Sequence, residues 1–530
     1  MEGTMQGNSS SDSDIQYNPN RRTKFLLMGL LLILNIIIRI PSIPHEKGYD
    51  SFFIHSLANS VSSFGHANWW VNWLSVFGLY PYSYASAIPF SLSGIAQLTG
   101  LTGLQMEKTI LIFSFIIGLF SIFTAYMLAG VIYNDFLFKY ITALFFSVSQ
   151  GVMVFSTWEI SARGPFIIFL PFFLFILIKR LKLRKTILLM IILSTFLASL
   201  HHYFYFIFIF LTTFIALKML SRIYLTSNKH YHLNYVYVIA LTASLTFPFF
   251  TRMLIDAGSR YQWVLTALMI NIRYIGPILI YFFAGLLYLI LKKDKKFKES
   301  YLLVILLILI PTMYSQRYGV FILLTVLIIF ISLGFRNSLI LYERDPHKKV
   351  LSVFTILILI SFSAFSGFYN HTRTGDSQNY WYMPEVTYKA AEWSNTYIPE
   401  YAHGFAFGGD TWRLSSTSDA HPIVPTLSVQ ILAYKLMNES DIQVDEVSPS
   451  SLDYYFEGPY VLKPMTDVGG SVSWFTTLRD IEDERATRII KRFNATYVLE
   501  DIYSPKPIIN SIEAKKNNIF SNGRIRIWTI

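Results

Sequence analysis

The sequence contains no cysteine, which excludes disulfide bonds and thiolate metal sites. Charge is almost as scarce: 15% of the 530 residues are charged against 53% hydrophobic, with a mean hydropathy of +0.43. A water-soluble chain of this length would not carry so little charge, so the composition points to a polytopic membrane protein. Few charges fall deep inside the apolar runs and no internal repeat stands out, which argues against a transporter. The net charge of +11 does not announce a nucleic-acid partner. Residues 368–530 hold 15 Lys+Arg and 20 Asp+Glu, a net −5, which leaves +16 for the rest of the chain. Topology explains that excess.

Residues 1–24 are polar, run through SSSDSD to NRRTK, and lack a small-residue cleavage site, so they read as a disordered cytoplasmic tail. Apolar runs follow near 25–40, 109–130, 140–157, 165–178, 186–200, 203–217, 234–250, 275–291, 300–314, 318–335 and 350–367. The segment 81–99 is also apolar, but charge decides against a crossing. If it stays on one side, the clusters at 179–185, 292–298 and 336–349 join the basic N-terminus, and 21 of the 29 Lys+Arg in residues 1–367 become cytoplasmic. If it crosses, those clusters face outward. The expectation is therefore about eleven spans across 25–367, a large first outer loop at 41–107, the N-terminus inside and residues 368–530 outside.

Eight basic residues stay on the outer side: Arg39, Lys47, Lys108, Arg163, Arg252, Arg260, Arg273 and Arg317. Each alone can be a side chain snorkelling to lipid headgroups. Together they form a cationic face suited to a lipid-linked phosphate, with Arg317 between two tightly linked spans as the leading contact. Glu159, in FSTWEISARGPF, is the only acid between Asp135 and Asp256 and falls on that same side. Paired with Asp50 it could hold a divalent cation such as Mg or Mn; the alternative is an i to i+4 pair with Arg163. His201 and His202 open another outer turn and read as interfacial polar residues.

Asp50 lies just beyond the first apolar run, among Tyr49, His55, His66, Trp69, Trp70, Trp73 and Tyr80. Such a wet aromatic loop is an odd thing to build for packing alone. Its carboxylate can serve as a general base, and the rings as stacking faces for sugars. The competing role is an N-cap for the helical pattern SFFIHSLANSV. From Phe368 the composition turns mixed and polar. PEVTYKAAEWSNTYIP reads as a helix with Val386, Ala390 and Trp393 on one stripe, while GFAFGGD, ATYVLED and GRIRIWTI read as strands, the last preceded by the turn SNG. This is a small α/β outer domain. Sequons begin at Asn370, Asn438 and Asn494.

In this order of parts the sequence resembles the GT-C class of membrane glycosyltransferases, in particular the oligosaccharyltransferase catalytic subunit and its archaeal relatives. YDSFFIHSLANSVSSFGH…WW…YPYS is similar to that family's first outer loop, where an Asp after the first span is catalytic; Asp50 matches it. AAEWSNTYIP…FGGDTWRL and RFNATYVLED…IFSNGRIRIW resemble the start and end of its outer domain. The family's W-W-D-Y-G acceptor-reading motif is replaced by Gly408-Gly409-Asp410-Thr411-Trp412, which keeps only the acid, Asp410. Its paired acidic motif is missing, with Glu159 merely nearby.

The resemblance implies a mostly α, GT-C-like membrane enzyme using a polyprenyl-phosphate sugar donor, membrane lipids as its medium, and a glycan or protein acceptor. Asp50 would be the base, and Arg163, Arg252, Arg260 and Arg317 would meet the phosphate. The departures favour a single sugar or a glycan acceptor over protein asparagine. A protein N-glycosylation enzyme, and a non-catalytic membrane protein with an outer binding domain, are the alternatives.

Overall fold

The computed structural model describes residues 19–530 apart from 225–230, 251–270, 312–318, 373–381, 418–427, 451–459, 463–474 and eight single positions. Every apolar run contains helix. Helices α1 (Arg21–Ile37), α2 (Tyr49–Phe64), α3 (Ala87–Thr99), α4 (Met106–Ile132) and α5 (Phe136–Val148) come first. They are followed by α6 (Gln150–Met153), α7 (Arg163–Ile178), α8 (Leu183–Leu200), α9 (Tyr205–Tyr224) and α10 (Tyr231–Phe250). The frame is completed by α11 (Tyr281–Leu291), α12 (Phe297–Leu309), α13 (Gly319–Glu343) and α14 (Lys348–Thr372). Five helices among the described residues are long and apolar enough to cross a bilayer, and shorter apolar helices accompany them.

Run 140–157 is not one helix. It breaks at Ser149, whose ψ of 141° leaves the helical range, and resumes as the single turn α6. Helix α3 has 13 residues, roughly 20 Å of length against about 30 Å for a hydrocarbon core. Helix α13 sits at the centre of the frame, with its apolar window wholly buried. It packs backbone to backbone on α11: a Cβ on Gly285 would lie 1.9 Å from the Phe330 carbonyl oxygen, and one on Gly334 2.1 Å from that of Tyr281. Only glycine allows this approach, and it gives the frame a rigid spine.

The C-terminal domain opens with α15 (Glu385–Tyr397), as the stripe of Ala390 and its neighbours predicts. Strand β1 (His403–Ala406) leads into α16 (Gly409–Thr417) and α17 (Ser428–Ala433), and β2 (Val444–Glu446) pairs with β3 (Tyr460–Leu462). Then come α18 (Glu484–Phe493), β4 (Ala495–Asp501), α19 (Pro507–Lys515), β5 (Asn518–Ser521) and β6 (Ile525–Thr529). The main sheet runs β1-β4-β6-β5, with β1 parallel to β4 and the other pairs antiparallel. The SNG turn joins β5 to β6 with Gly523 at φ 85°, and the Asn522 amide donates to the Val386 carbonyl 2.8 Å away, tying the hairpin to α15.

Helix α2 is where the two halves meet. Ser51 to Val61 are all buried, so the pattern is that of a core element rather than an interfacial one. The C-terminal domain lies on it and on the loop that follows: Asn59 donates to the Ser416 carbonyl, Asn68 to that of Ala433, and the Tyr434 hydroxyl to that of Ser56, at 2.7–2.9 Å. Upstream, the His45 ring stacks on Tyr388 at 3.8 Å and its nitrogens meet Glu107 and Glu385 at 3.2 and 2.7 Å. His55 meets the buried Glu46 at 2.5 Å.

Burial pulls both imidazoles down, but their carboxylate partners outweigh it and raise both pKa values above the usual 6.5. A histidine whose folded pKa is raised contributes stability that is complete below the unfolded value and lost as pH rises through the folded one. Thermal melts of the purified protein should therefore shift downward as pH is raised from about 6 to 8. His45→Gln with His55→Gln should flatten that slope; an unchanged slope would refute the assignment.

Candidate active site

Asp50 sits in the second position of α2, and Gly48 occupies the N-cap with φ 102° and no side-chain cap bond. The cap role is thus not taken by the carboxylate. It stands instead where the helix dipole favours an anion, with its side chain 37% exposed. A cavity of about 290 Å³ opens in front of it, lined by Tyr49, Phe53, Tyr84, Ser161, Arg163, His201 and His202. The Ser161 hydroxyl donates to Asp50 Oδ2 at 2.9 Å, and the Arg163 guanidinium lies 3.6 Å from the same oxygen.

Local backbone is committed to this cleft. Gly48, Gly78, Tyr82 and Trp158 have φ of 102°, 71°, 59° and 52°; for the two non-glycines this is a strained conformation of the kind that clusters at functional sites. Gly48 cannot be replaced cheaply, since a Cβ there would lie 2.5 Å from Glu159 Cγ. The Lys47 amide donates to the Trp158 carbonyl at 3.0 Å. The start of α2 and the segment carrying Glu159, Ser161 and Arg163 are thereby fastened together.

His201 is 7% exposed, and its Nδ1 accepts the Tyr203 amide at 3.2 Å. Burial, together with the nearby His202 and Arg163, pushes its pKa well below the usual value, so the ring is neutral at physiological pH. A neutral imidazole accepting at Nδ1 carries its proton on Nε2. The cleft therefore has a carboxylate, one guanidinium and an uncharged N–H donor. The sequence places His201 and His202 as polar residues of an interfacial turn; their rings lie 4.0 Å apart and both line the cleft.

The other expected site residues are dispersed. Arg252, Arg260 and Arg317 lie outside the described residues. Arg39 is no part of a cationic face: it is fully buried, bonded to Asn35, the Ser147 carbonyl and the Ser156 hydroxyl. Trp69 is 0% exposed, its Nε1 donating to Ser86 Oγ, so it has no face to offer a sugar. Trp70 is 43% exposed but stacks on Phe90 at 4.6 Å. Tyr80 closes a turn with Ser83. Asp410 is buried, accepting from Arg413 at 3.1 Å and Thr387 at 3.2 Å, which makes it a brace of the C-terminal domain.

Asp50 faces a guanidinium, and among the described residues no three His, Cys, Asp or Glu side chains converge as metal ligands. Glu159 is 2% exposed, packed against Gly48, and precedes α7, so the helical i to i+4 geometry with Arg163 does not exist; Arg163 lies 3.6 Å from Asp50.

The sequence matches no protein-family model and no curated protein. Its fold does match solved structures. The oligosaccharyltransferase of Archaeoglobus fulgidus, in a complex with Zn and sulfate, aligns with a TM-score of 0.58 at 14% identity, covering 90% of this chain and 68% of that one. The same archaeal enzyme with an inhibitory peptide and a dolichol-phosphate gives 0.53 at 13% identity, over 91% and 69%. The arabinofuranosyltransferase AftD from Mycobacteria gives 0.52 at 11% identity, over 97% of this chain but 42% of its own length. The chain therefore has the fold of the GT-C membrane glycosyltransferases: a helical membrane frame, a first loop presenting Asp50, and a C-terminal soluble domain seated on that loop.

Proposed function

We propose that the protein is a glycosyltransferase that moves a sugar from a polyprenyl-phosphate-linked donor to an acceptor hydroxyl at the Asp50 cleft, on the outer face of the membrane. The observation that carries this reading is the partly exposed Asp50 carboxylate held by Ser161 beside Arg163. The acceptor O–H gives its proton to Asp50 while its oxygen attacks the anomeric carbon, and the bond from that carbon to the phosphate oxygen breaks. The phosphate leaves with the electron pair, and the Arg163 guanidinium, which lines the same cleft, offsets the new charge. One displacement on the face opposite the leaving group inverts the anomeric centre. The basic clusters on one side of the frame support an outer cleft. The burial of Asp410 favours a glycan or lipid-borne acceptor over a peptide read through that residue.

The direct test is to give the purified protein radiolabelled polyprenyl-phosphate sugars with a membrane extract as acceptor. Label should leave the lipid phase only with active protein; label that never moves across the common hexose and pentose donors would end the proposal. His201 supplies a second check. Its neutral Nε2–H can bond a phosphate oxygen without quenching Asp50, and a hydrogen bond to a charged group of about 1.5–3 kcal/mol is worth roughly 10- to 100-fold. His201→Leu should weaken donor use by that factor and His201→Gln, which keeps an N–H donor, by much less; equal effects would exclude the role.

A further inference from the structure

A second cavity lies near the N-terminal end of α1. It measures about 540 Å³, within the usual range for a ligand pocket, and is walled by Phe25, Met28, Leu32, Phe123, Tyr126 and Phe136. Its rim is cationic. Arg21 and Lys24 line it, and Lys139 stands beside it with Nζ 5.3 Å from the centre of the Tyr126 ring. Arg21 lies over Phe25 at 5.5 Å and Lys24 over Phe136 at 5.8 Å.

These three cations rest on aromatic faces, and none has a carboxylate at ion-pair distance among the described residues. The nearby Asp135 is already committed to Arg336 at 2.6 Å, and Lys139 donates to the Asn134 side chain. Lys24 and Lys139 are close enough to repel each other. Assembling like charges around an apolar hollow is unfavourable unless an anion with an apolar body fills it. The outward face of α1 is lipid-like in its neighbours: Phe25, Leu26 and Leu30 are each more than half exposed.

We propose that this hollow binds one anionic phospholipid, its phosphate among Arg21, Lys24 and Lys139 and the start of one acyl chain between α1 and α4. The site is separate from the Asp50 cleft, because α1 has 17 residues between them, roughly 25 Å of helix. It does not depend on the enzyme's chemistry. Gly29 keeps it open: a Cβ there would meet nothing within 4 Å, so a larger side chain is accommodated by the fold and projects into the free space.

Native mass spectrometry of the full chain with added phosphatidylglycerol or phosphatidylcholine tests this. Phosphatidylglycerol should be retained in preference, and millimolar inorganic phosphate or excess polyprenyl phosphate should not displace it. Lys24→Gln with Lys139→Gln should lower its retention by roughly 25-fold, at about five-fold per basic residue near a lipid phosphate. Gly29→Phe should lower it while leaving every cation in place, and Lys182→Gln should leave it unchanged. Equal retention of the two lipids would overturn the proposal. So would displacement by inorganic phosphate, which would mark a soluble-anion site, or by polyprenyl phosphate, which would mark a second donor site.

Discussion

Asp50→Asn should abolish sugar transfer while leaving the protein folded and as stable as the wild type. The amide keeps the carboxylate's shape but cannot accept the acceptor's proton, a contribution typically worth about 10² to 10⁴ in rate. Stability should hold for three reasons on view. The N-cap of α2 is Gly48, so no cap is lost. The Ser161 hydroxyl can still donate to the amide oxygen at the same place. The ion pair to Arg163 spans 3.6 Å between groups 37% and 25% exposed, a setting in which such pairs contribute roughly 0–1 kcal/mol. Initial rates from a radiolabelled lipid donor, run beside thermal melts of both forms, check the claim. Turnover near wild type in a folded Asp50→Asn protein would show that this cleft is not where the proton is taken.

Much of the architecture was legible because it is written in local patterns. Apolar runs mark the helices of the frame, the strand-forming stretches ATYVLED and GRIRIWTI mark β4 and β6, and the SNG turn marks the start of β6. Asp50 stands out in the sequence because an acid in an aromatic loop after an apolar run has few structural uses. What local pattern cannot give is which polar residues end up inside. Arg39 and Arg163 look alike in sequence, each at the outer end of an apolar run. One is sealed beneath α4 and the other opens on the cleft, and only the packing of Gly118 and Ser161 separates them. Trp69 and Asp410 fail as surface residues for the same reason: each is bonded inside the fold, to Ser86 and to Arg413. His201 was missed in the opposite sense. The extended His201 backbone, φ −159° and ψ 149°, turns two adjacent rings onto one cleft.

Arg39 should prove to be the main internal support of the active-site segment, and its replacement should cancel the cost of a substitution at Gly118. Its Nε bonds the Ser156 hydroxyl at 3.2 Å, its NH1 the Asn35 side chain at 2.5 Å, and its NH2 the Ser147 carbonyl at 2.8 Å. One guanidinium thus joins α1, the end of α5 and the stretch leading to Glu159, Ser161 and Arg163. All its partners are buried, so Arg39→Ala leaves unmet acceptors as well as a cavity and should destabilise by about 3–5 kcal/mol. Gly118 on α4 is what admits the side chain: a Cβ there would lie 2.3 Å from Arg39 Nε and 2.8 Å from Cδ. These atoms are the braced middle of the side chain, not its free end. Gly118→Ala alone should therefore displace the guanidinium and cost about 1–3 kcal/mol. In the Arg39→Ala background the obstructing atoms are gone, and the added methyl enters an empty space. The double variant should then be no less stable than Arg39→Ala, a coupling of about 1–3 kcal/mol in a double-mutant cycle. Denaturation of the four proteins in one detergent reads the cycle, and additive losses would show that Gly118 and Arg39 act independently.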